Sequence, residues 1–290
     1  MTKALALFEL LRPQQWVKNA FVLVGLVFGH AWRDPALLAA ALLATAAFCL
    51  ASGAVYAFND ARDAAQDARH PQKRARPVAR GAVAPAEALW AAGLLAAAAL
   101  AIALAAGWKV AVIVAAYLAL NVAYSMGLKN LPVLEVVVIA AGFMLRLLAG
   151  TLGIGIEPSN WLLACGFLLT LFLGFAKRRA ELERLSAEAG RHRSVLQVYT
   201  PGFLDGAIAL CALAMVAAYT CYTLAAATAI LHGTGRLVLT VPWVLLGTAR
   251  YLYRLRVLGG GGDPAVELLR DPLLALAVAG WAGTVLWVIG

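Results

Sequence analysis

The sequence predicts an all-α fold, a polytopic transmembrane helical bundle that forms one domain over residues 1–290. Hydrophobic residues make up 63% of the chain and charged residues only 13%, whereas about a quarter of the residues in soluble domains are charged. The mean hydropathy is +0.82. Lipid offers the backbone no hydrogen-bond partners, so a segment that crosses it is expected to be a helix of about 20 mostly apolar residues. Several stretches of this chain meet that requirement.

Nine apolar stretches are predicted to span the membrane, with boundaries that are loose by several residues. The first stretch is short and could lie partly re-entrant, and the seventh is long enough to tilt or break. A count of eight spans therefore stays open. The nine predicted spans cover residues 17–30, 36–58, 85–106, 110–124, 133–152, 161–176, 203–231, 237–253 and 272–289.

The distribution of Lys and Arg predicts the orientation of the chain, because short cytoplasmic connections carry an excess of positive charge. With the N-terminus inside, 20 of the 24 basic residues lie in inner segments. Arg33, Lys109 and Arg236 lie in outer connections, and Arg146 lies within a span. The net charge of +9 is spread over membrane loops, which predicts membrane lipids and phosphorylated substrates as partners and argues against nucleic acid.

The most informative stretch follows the second predicted span and covers residues 59–67. If the helix continues past the membrane edge, Asp60, Asp63 and Asp67 lie along one face beside Asn59. Stacked like charges repel unless a cation lies between them, and Mg²⁺ binds one or two carboxylates together with substrate phosphates. The pattern therefore predicts a Mg²⁺ site. The alternative is a solvated acidic helix end that neighbouring arginines neutralise.

A basic run follows directly, over residues 70–81, and contains Lys73, Arg74 and Arg80. Taken alone, such a run is more often a topology signal at the membrane face. Beside the acidic stretch it predicts a phosphate site instead. Carboxylates with a divalent ion would hold a diphosphate from one side, and basic side chains would clamp its remaining oxygens.

Further polar residues are predicted at the same inner surface. Tyr124 and Lys129 follow the fourth span, where they could equally serve as interfacial anchors. Lys177 and Glu181 are four residues apart and could pair on one helix face, so a structural salt bridge and a substrate clamp are both open.

Arg146 lies in the middle of the fifth predicted span. A charge in that position is expensive and usually faces a cavity or a partner. Glu135 is the nearest acidic candidate for that partner, and the position of Arg146 predicts a binding role.

These residues, in this order, resemble the UbiA superfamily of intramembrane prenyltransferases, whose helical bundle carries an N-D-x-x-D-x-x-x-D motif after its second span. Asn59, Asp60, Asp63 and Asp67 match that motif in full. The resemblance covers nearly the whole chain. Four further stretches resemble the decaprenyl-phosphate phosphoribosyltransferase branch of the superfamily, namely residues 11–19, 70–81, 142–150 and 177–182.

The resemblance implies a Mg²⁺-dependent enzyme that transfers 5-phosphoribose from phosphoribosyl pyrophosphate to a polyprenyl (decaprenyl) phosphate and releases pyrophosphate. In that branch the reaction is an early step towards arabinofuranose donors for cell-wall glycans. The resemblance also implies a multi-pass protein of a bacterial-type inner membrane with cytoplasmic active-site loops, and a homo-oligomer such as a trimer.

Two alternatives are weighed against this interpretation. A prenyltransferase that uses a prenyl diphosphate and an aromatic acceptor would keep the first acidic motif. Superfamily members of that kind carry a second Asp-rich motif after the sixth span, and here residues 177–184 are basic instead, which suits two phosphorylated substrates. A transporter or scaffold would leave the three carboxylates unexplained.

The resemblance and the charge pattern together predict a role for each polar residue. Asp60 and Asp63, supported by Asn59 and Asp67, are predicted to hold Mg²⁺ and the donor pyrophosphate. Lys18 and Arg146 are the candidates for holding the lipid phosphate. The predicted surroundings of the donor are Lys73, Arg74, Arg80, Tyr124, Lys129, Lys177, Arg178 and Glu181.

Overall fold

The computed structural model describes residues 3–69, 73–185 and 194–290, and within these ranges the chain is helical without a β-strand. Residues 70–72 of the predicted basic run and residues 186–193, which follow the basic stretch 177–184, lie outside them. The predicted all-α fold is confirmed. The α-helices of the described ranges are α1 (Lys3–Leu10), α2 (Val24–Phe28), α3 (Pro35–Arg62), α4 (Ala64–Asp67), α5 (Pro85–Ala106), α6 (Trp108–Met126), α7 (Leu134–Ala149), α8 (Asn160–Leu185), α9 (Pro201–Leu224), α10 (Ala226–His232), α11 (Val241–Arg256), α12 (Pro264–Arg270) and α13 (Pro272–Ile289).

Among the described residues, seven helical segments are long and apolar enough to cross a membrane. They are α3, α5, α6, α7 with the turn after it, α8, α9 and α13. The pair formed by α10 and the segment Arg236–Arg256 is bent by 96° and makes an eighth span if it is counted as one. The polytopic membrane fold is therefore confirmed, with seven or eight spans in place of the nine predicted.

The segment predicted as the first span, residues 17–30, does not form one long helix. It lies in an 11-residue 3₁₀ helix, Pro13–Leu23, followed by the five-residue α2. The seventh predicted span, 203–231, is interrupted at Ala225, whose extended backbone (φ −67°, ψ 133°) separates α9 from α10. Residues 17–30 therefore do not count as a span, which lowers the predicted number by one. Residues 203–231 are broken, as their length allowed.

Three of the long helices begin with the same local signal, a capping side chain followed by proline. Asp34, Thr200 and Asp271 each accept a hydrogen bond from a first-turn N–H, at 2.8, 3.2 and 2.8 Å. Proline follows each cap, at a position whose N–H would have no helical partner. Arg250 and Arg254 also donate to Asp271, at 2.7 and 2.8 Å, and the Arg250 guanidinium holds the pKa of Asp271 well below its usual range.

The chain divides into two compact units. Unit 1 contains Met1–Leu128 and Leu145–Pro158, and unit 2 contains Lys129–Met144 and Ser159–Gly290. The helix α7 therefore supplies its first part to unit 2 and its last part to unit 1. The prediction of a single domain over residues 1–290 stays a prediction.

Each unit has a core of its own. In unit 1, α3 packs along α5 through small side chains, since Ala44, Ala47, Ala51 and Ala99 are all fully buried in one cluster. Small residues at helical spacing let two helix backbones approach closely. In unit 2, α8 packs against α9, and the core is aromatic and aliphatic, with Phe172, Phe175, Leu204 and Tyr251 among its members.

Two glycines bring segments of unit 1 into backbone contact. A Cβ atom on Gly150 would lie 1.6 Å from the carbonyl oxygen of Val22, and a Cβ on Gly25 would lie 2.1 Å from the carbonyl oxygen of Gly150. Both obstacles are backbone atoms, which cannot turn aside as a side chain can. The end of α7 is thus held directly against the 3₁₀ helix and α2.

Gly150→Ala is expected to destabilise the protein, because the new methyl group must push the Val22 backbone away. Overpacking of this kind costs about 1–3 kcal/mol or more, which lowers the thermal midpoint in detergent by several degrees. Gly93→Ala is the matched control, since a Cβ at Gly93 in α5 meets no atom within 4 Å. An unchanged midpoint for Gly150→Ala would contradict the packing described here.

Candidate active site

The acidic stretch lies at the C-terminal end of α3 and in the short helix that follows. Asp63 forms a bend (φ −94°, ψ 8°) between α3 and α4. The Asp63 N–H donates to the carbonyl of Asn59 at 2.8 Å, and the Asp67 N–H donates to the carbonyl of Asp63 at 2.8 Å. The expectation that one unbroken helix continues through the acidic stretch is therefore wrong, because α3 ends at Arg62 and α4 begins at Ala64. The shared face of the three carboxylates stays a prediction.

Asp60 and Asp67 meet at one guanidinium group. Both are buried, with exposed fractions of 1% and 2%. Nη1 of Arg76 donates to Oδ1 of Asp60 at 3.2 Å and to Oδ2 of Asp67 at 2.5 Å. Nη2 of Arg12 donates to Oδ1 of Asp60 at 2.5 Å, and Nζ of Lys73 lies 3.8 Å from Oδ1 of Asp67. Nearby cations are what buried carboxylates need in order to remain charged.

Arg12 reaches Asp60 through an unusual backbone conformation. Its φ of 48° and ψ of 62° are left-handed, which costs a non-glycine residue on the order of 1–3 kcal/mol. Pro13 follows and restricts this residue further. The Arg12 guanidinium also lies 4.6 Å from the centre of the Tyr56 ring. The buried ion pair and the cation–π contact offset the strain of the backbone.

Arg12 and Arg76 are candidate site residues that the sequence analysis did not assign. Arg76 lies inside the basic run, and the spacing of that run does not distinguish the arginine that turns towards the acids. Arg12 and Asp60 are 48 residues apart in the chain. The only signal for Arg12 was its place in the stretch 11–19, which resembles the phosphoribosyltransferase branch.

The other predicted site residues of unit 1 lie in varied surroundings. Asn59 accepts a hydrogen bond from the hydroxyl of Ser125 on α6, which holds its side chain against that helix. Nη2 of Arg80 donates to Glu9 on α1 at 2.7 Å, so that this arginine joins the basic run to the N-terminal helix. Of the remaining candidates, Arg74 is exposed, whereas Lys18 and Tyr124 are half-buried.

Arg146 lies in the core of unit 1 and is 6% exposed. Its Nε donates to Oδ1 of Asn19 at 2.8 Å, and its Nη2 donates to the hydroxyl of Tyr117 at 3.0 Å. The guanidinium lies over the rings of Tyr117 and Phe48, at 4.7 and 5.5 Å. These contacts tie α7 to the 3₁₀ helix and to α6. Glu135, the acid suggested as its partner, is bonded to another arginine.

Unit 2 contains a second buried acid–arginine centre. Nε of Arg178 donates to Oε1 of Glu135 at 2.6 Å, and Arg178 also donates to Glu181. The hydroxyl of Tyr199 donates to the same Oε1 at 3.4 Å and accepts the N–H of Val133 at 2.7 Å. Burial raises the pKa of Tyr199 above its ordinary value, so the hydroxyl keeps its proton at neutral pH and remains a donor.

The basic candidates of unit 2 differ in how deeply their side chains are buried in the protein. Arg178 is 1% exposed and Glu135 is fully buried, whereas Lys129 and Lys177 are half-buried. Glu181, which the spacing paired with Lys177, accepts a hydrogen bond from Arg178. A structural salt bridge is therefore present at Glu181, formed with the neighbouring arginine.

The acid pair of unit 1 can be tested for its fit to a divalent cation. In the described part of the chain, no group of three or more His, Cys, Asp or Glu side chains converges as a metal site. Oδ2 of Asp60, however, is buried and receives no hydrogen bond from the described residues. Together with Asp67 it offers the oxygen donors that Mg²⁺ prefers, and Mg²⁺ commonly needs only one or two carboxylates when substrate phosphates supply further ligands. The residues fit such an ion.

The chain is similar to enzymes of known activity over nearly its full length. A decaprenyl-phosphate phosphoribosyltransferase of Mycolicibacterium smegmatis is 33% identical over 290 residues, which cover 96% of this chain and 91% of the relative. The protein with the same description from Corynebacterium glutamicum is 31% identical over 286 residues, which cover 95% of this chain and 84% of the relative.

The fold also matches a solved structure. A UbiA homolog from Archaeoglobus fulgidus, bound to GPP and Mg²⁺, superposes with a TM-score of 0.73 at 20% sequence identity, covering 98% of this chain and 99% of that protein. At this level of identity the likeness shows the fold alone. Residues 19–263 match the sequence pattern of the UbiA prenyltransferase family. The resemblance noted from the sequence is therefore confirmed, and the chain belongs to the UbiA prenyltransferase family.

Proposed function

We propose that this chain transfers a 5-phosphoribosyl group from phosphoribosyl pyrophosphate to a polyprenyl phosphate and releases pyrophosphate. The observation that carries the proposal is the likeness, over nearly the whole chain, to two decaprenyl-phosphate phosphoribosyltransferases at 33% and 31% identity. The site supports it, because the buried pair Asp60 and Asp67 lies among three basic side chains. The basic stretch 177–184 is also suited to a second phosphorylated substrate.

The proposed reaction is a substitution at the anomeric carbon of the ribose. A phosphate oxygen of the lipid forms a bond to that carbon, the bond from the carbon to pyrophosphate breaks, and pyrophosphate departs with the bonding electron pair. The attacking phosphate is already an anion, so no side chain has to remove a proton from it. The protein therefore needs to position two anions and compensate their charge.

The residues of unit 1 are assigned to the pyrophosphate end of the donor. The sequence predicted Asp60 and Asp63 as the main ligands of Mg²⁺. Because Asp60 and Asp67 share the guanidinium of Arg76, we assign the ion to these two, with Asn59 and Asp63 in support. When bound, Mg²⁺ supplies positive charge that neutralises the departing pyrophosphate. Three cations beside the acids would donate charge-assisted hydrogen bonds to phosphate oxygens of the bound donor, namely Arg12, Lys73 and Arg76.

The remaining assignments stay predictions. Lys18 and Arg146 are assigned to the lipid phosphate on the strength of their positions in the sequence. The donor-binding roles inferred from the sequence apply to Arg74, Arg80, Tyr124, Lys129, Lys177, Arg178 and Glu181.

The cellular placement is part of the same proposal. The concentration of basic residues in the predicted inner connections supports a cytoplasmic N-terminus and cytoplasmic active-site loops in a bacterial-type inner membrane. Assembly as a homo-oligomer such as a trimer, and a step in the supply of arabinofuranose for cell-wall glycans, rest on the resemblance to the branch.

A second candidate is the transfer of a prenyl group from a prenyl diphosphate to an aromatic acceptor. It is favoured by one observation, the match of residues 19–263 to the UbiA prenyltransferase family. Against it stands the basic sequence of residues 177–184, where prenyltransferases of the superfamily carry a second acidic motif.

An assay with purified protein separates the two candidates. With Mg²⁺, phosphoribosyl pyrophosphate labelled in the ribose and decaprenyl phosphate, we expect a labelled lipid and one pyrophosphate released per lipid formed. With geranyl diphosphate and 4-hydroxybenzoate we expect no prenylated product. Turnover of the second substrate pair alone would reverse the assignment.

Asp60→Asn is expected to lower phosphoribosyl transfer by roughly 100-fold or more, because it removes the negative charge that holds the cation. Glu157→Gln is the matched control, since it makes the same change of charge at an exposed position in unit 1 and should retain full activity. Gel filtration and the thermal midpoint in detergent report whether each variant is folded. Near-normal turnover by folded Asp60→Asn protein would refute the metal-binding role.

A further inference from the structure

We propose that Arg76 acts as an internal cation at the Asp60–Asp67 pair, and that a divalent ion arriving with a diphosphate displaces its guanidinium from the carboxylates onto the diphosphate. The inference rests on the proposed function, because it assumes that this pair receives a metal–diphosphate. It goes beyond the proposed function in two ways. It assigns Arg76 a second position, on the diphosphate, and it predicts that the metal binds weakly when no diphosphate is present.

Arg76 and a divalent ion would compete for the same carboxylate oxygens. A single nitrogen, Nη1 of Arg76, donates to Oδ1 of Asp60 and to Oδ2 of Asp67. A divalent ion that bridges these two carboxylates would occupy the same space and repel the guanidinium charge. The metal and Arg76 therefore cannot hold both carboxylates at once, and binding of one weakens binding of the other.

The exchange of Arg76 for the metal would begin at Oδ2 of Asp60. Oδ2 of Asp60 is buried and receives no hydrogen bond from the described residues, while Oδ1 of the same carboxylate is engaged by Arg12 and Arg76. Oδ2 is therefore the oxygen of Asp60 for which a cation would not compete with an existing hydrogen bond. Loss of the Arg76 contacts follows once the second carboxylate, Asp67, turns to the metal.

Of the two arginines at Asp60, Arg76 is the one that can leave when a metal binds, and Arg12 is held in place. Arg12 is fixed by a left-handed backbone before Pro13 and by its contact with the ring of Tyr56. Arg76 follows a three-residue 3₁₀ turn, Lys73–Ala75, in the connection between α4 and α5, and its side chain is 26% exposed. Only the side-chain torsions of Arg76 have to change for its guanidinium to leave the two acids.

The consequence is a preference for the metal–diphosphate complex over the metal alone. A metal without diphosphate must break the ion pairs of Arg76 and offers that side chain no new acceptor. A metal with diphosphate supplies phosphate oxygens, which accept paired hydrogen bonds from a guanidinium. Arg76 thereby makes the affinity for the metal higher when the diphosphate is present than when it is absent.

The test measures Mn²⁺ binding to the full-length protein in detergent by electron paramagnetic resonance, with and without inorganic pyrophosphate. For Arg76→Gln we expect Mn²⁺ alone to bind about tenfold more tightly than in the wild type, because the competing cation is gone. Pyrophosphate should strengthen Mn²⁺ binding to this variant less than it strengthens binding to the wild type. Arg69→Gln removes the same charge from an exposed position two residues after Asp67 and should leave both values close to those of the wild type.

The outcomes separate this inference from the proposed function. If Arg76→Gln binds Mn²⁺ no more tightly than the wild type or Arg69→Gln, while Asp60→Asn abolishes binding, the metal site stands and the displacement is refuted. If no variant binds Mn²⁺ with or without pyrophosphate, both proposals fail. Should Arg76→Gln not fold, Arg76→Lys decides the question. The shorter lysine keeps the positive charge but lacks the guanidinium that donates to both carboxylates, so Mn²⁺ affinity should still rise, and an unchanged affinity overturns the inference.

Discussion

The candidate active site of unit 1 depends on the ion pairs that compensate the buried carboxylate of Asp60. A carboxylate that is 1% exposed in an apolar bundle needs compensating cations, because desolvation of an isolated ion costs several kcal/mol. The requirement brings Arg12 from the N-terminal segment and Arg76 from the basic connection to the end of α3. It also explains the left-handed backbone of Arg12, a strain that the ion pair offsets. The geometry of the site is thus a consequence of charge compensation.

The same rule organises unit 2 around different residues. Glu135 is fully buried and is held by Arg178, which is itself 1% exposed. Asp271 caps α13 and is bound by two arginines of α11. Many basic residues that a sequence assigns to membrane topology or to phosphate binding therefore have structural partners. Arg178 serves the fold through Glu135, whatever further contact it makes with a substrate.

Composition and the spacing of apolar stretches were sufficient to predict the fold class and most of the spans. The segment 17–30 was assigned as a span on hydropathy alone, whereas its 3₁₀ conformation follows from the turn at Arg12 and the close contact between Val22 and Gly150. These contacts join distant parts of the chain. The spacing of the acidic residues identifies the motif, yet the position of Arg76 between Asp60 and Asp67 depends on tertiary contacts that no local pattern contains.

The proposed function requires the Asp60–Asp67 pair to receive a divalent ion together with a diphosphate. The most direct measurement is a cryo-electron microscopy or crystallographic map of the protein with Mn²⁺ and inorganic pyrophosphate. The account predicts Mn²⁺ density at a coordination distance of about 2.1 Å from an oxygen of Asp60, with the pyrophosphate on its other side. A map in which both ligands are ordered elsewhere, and the two carboxylates keep their arginine partners, would contradict it.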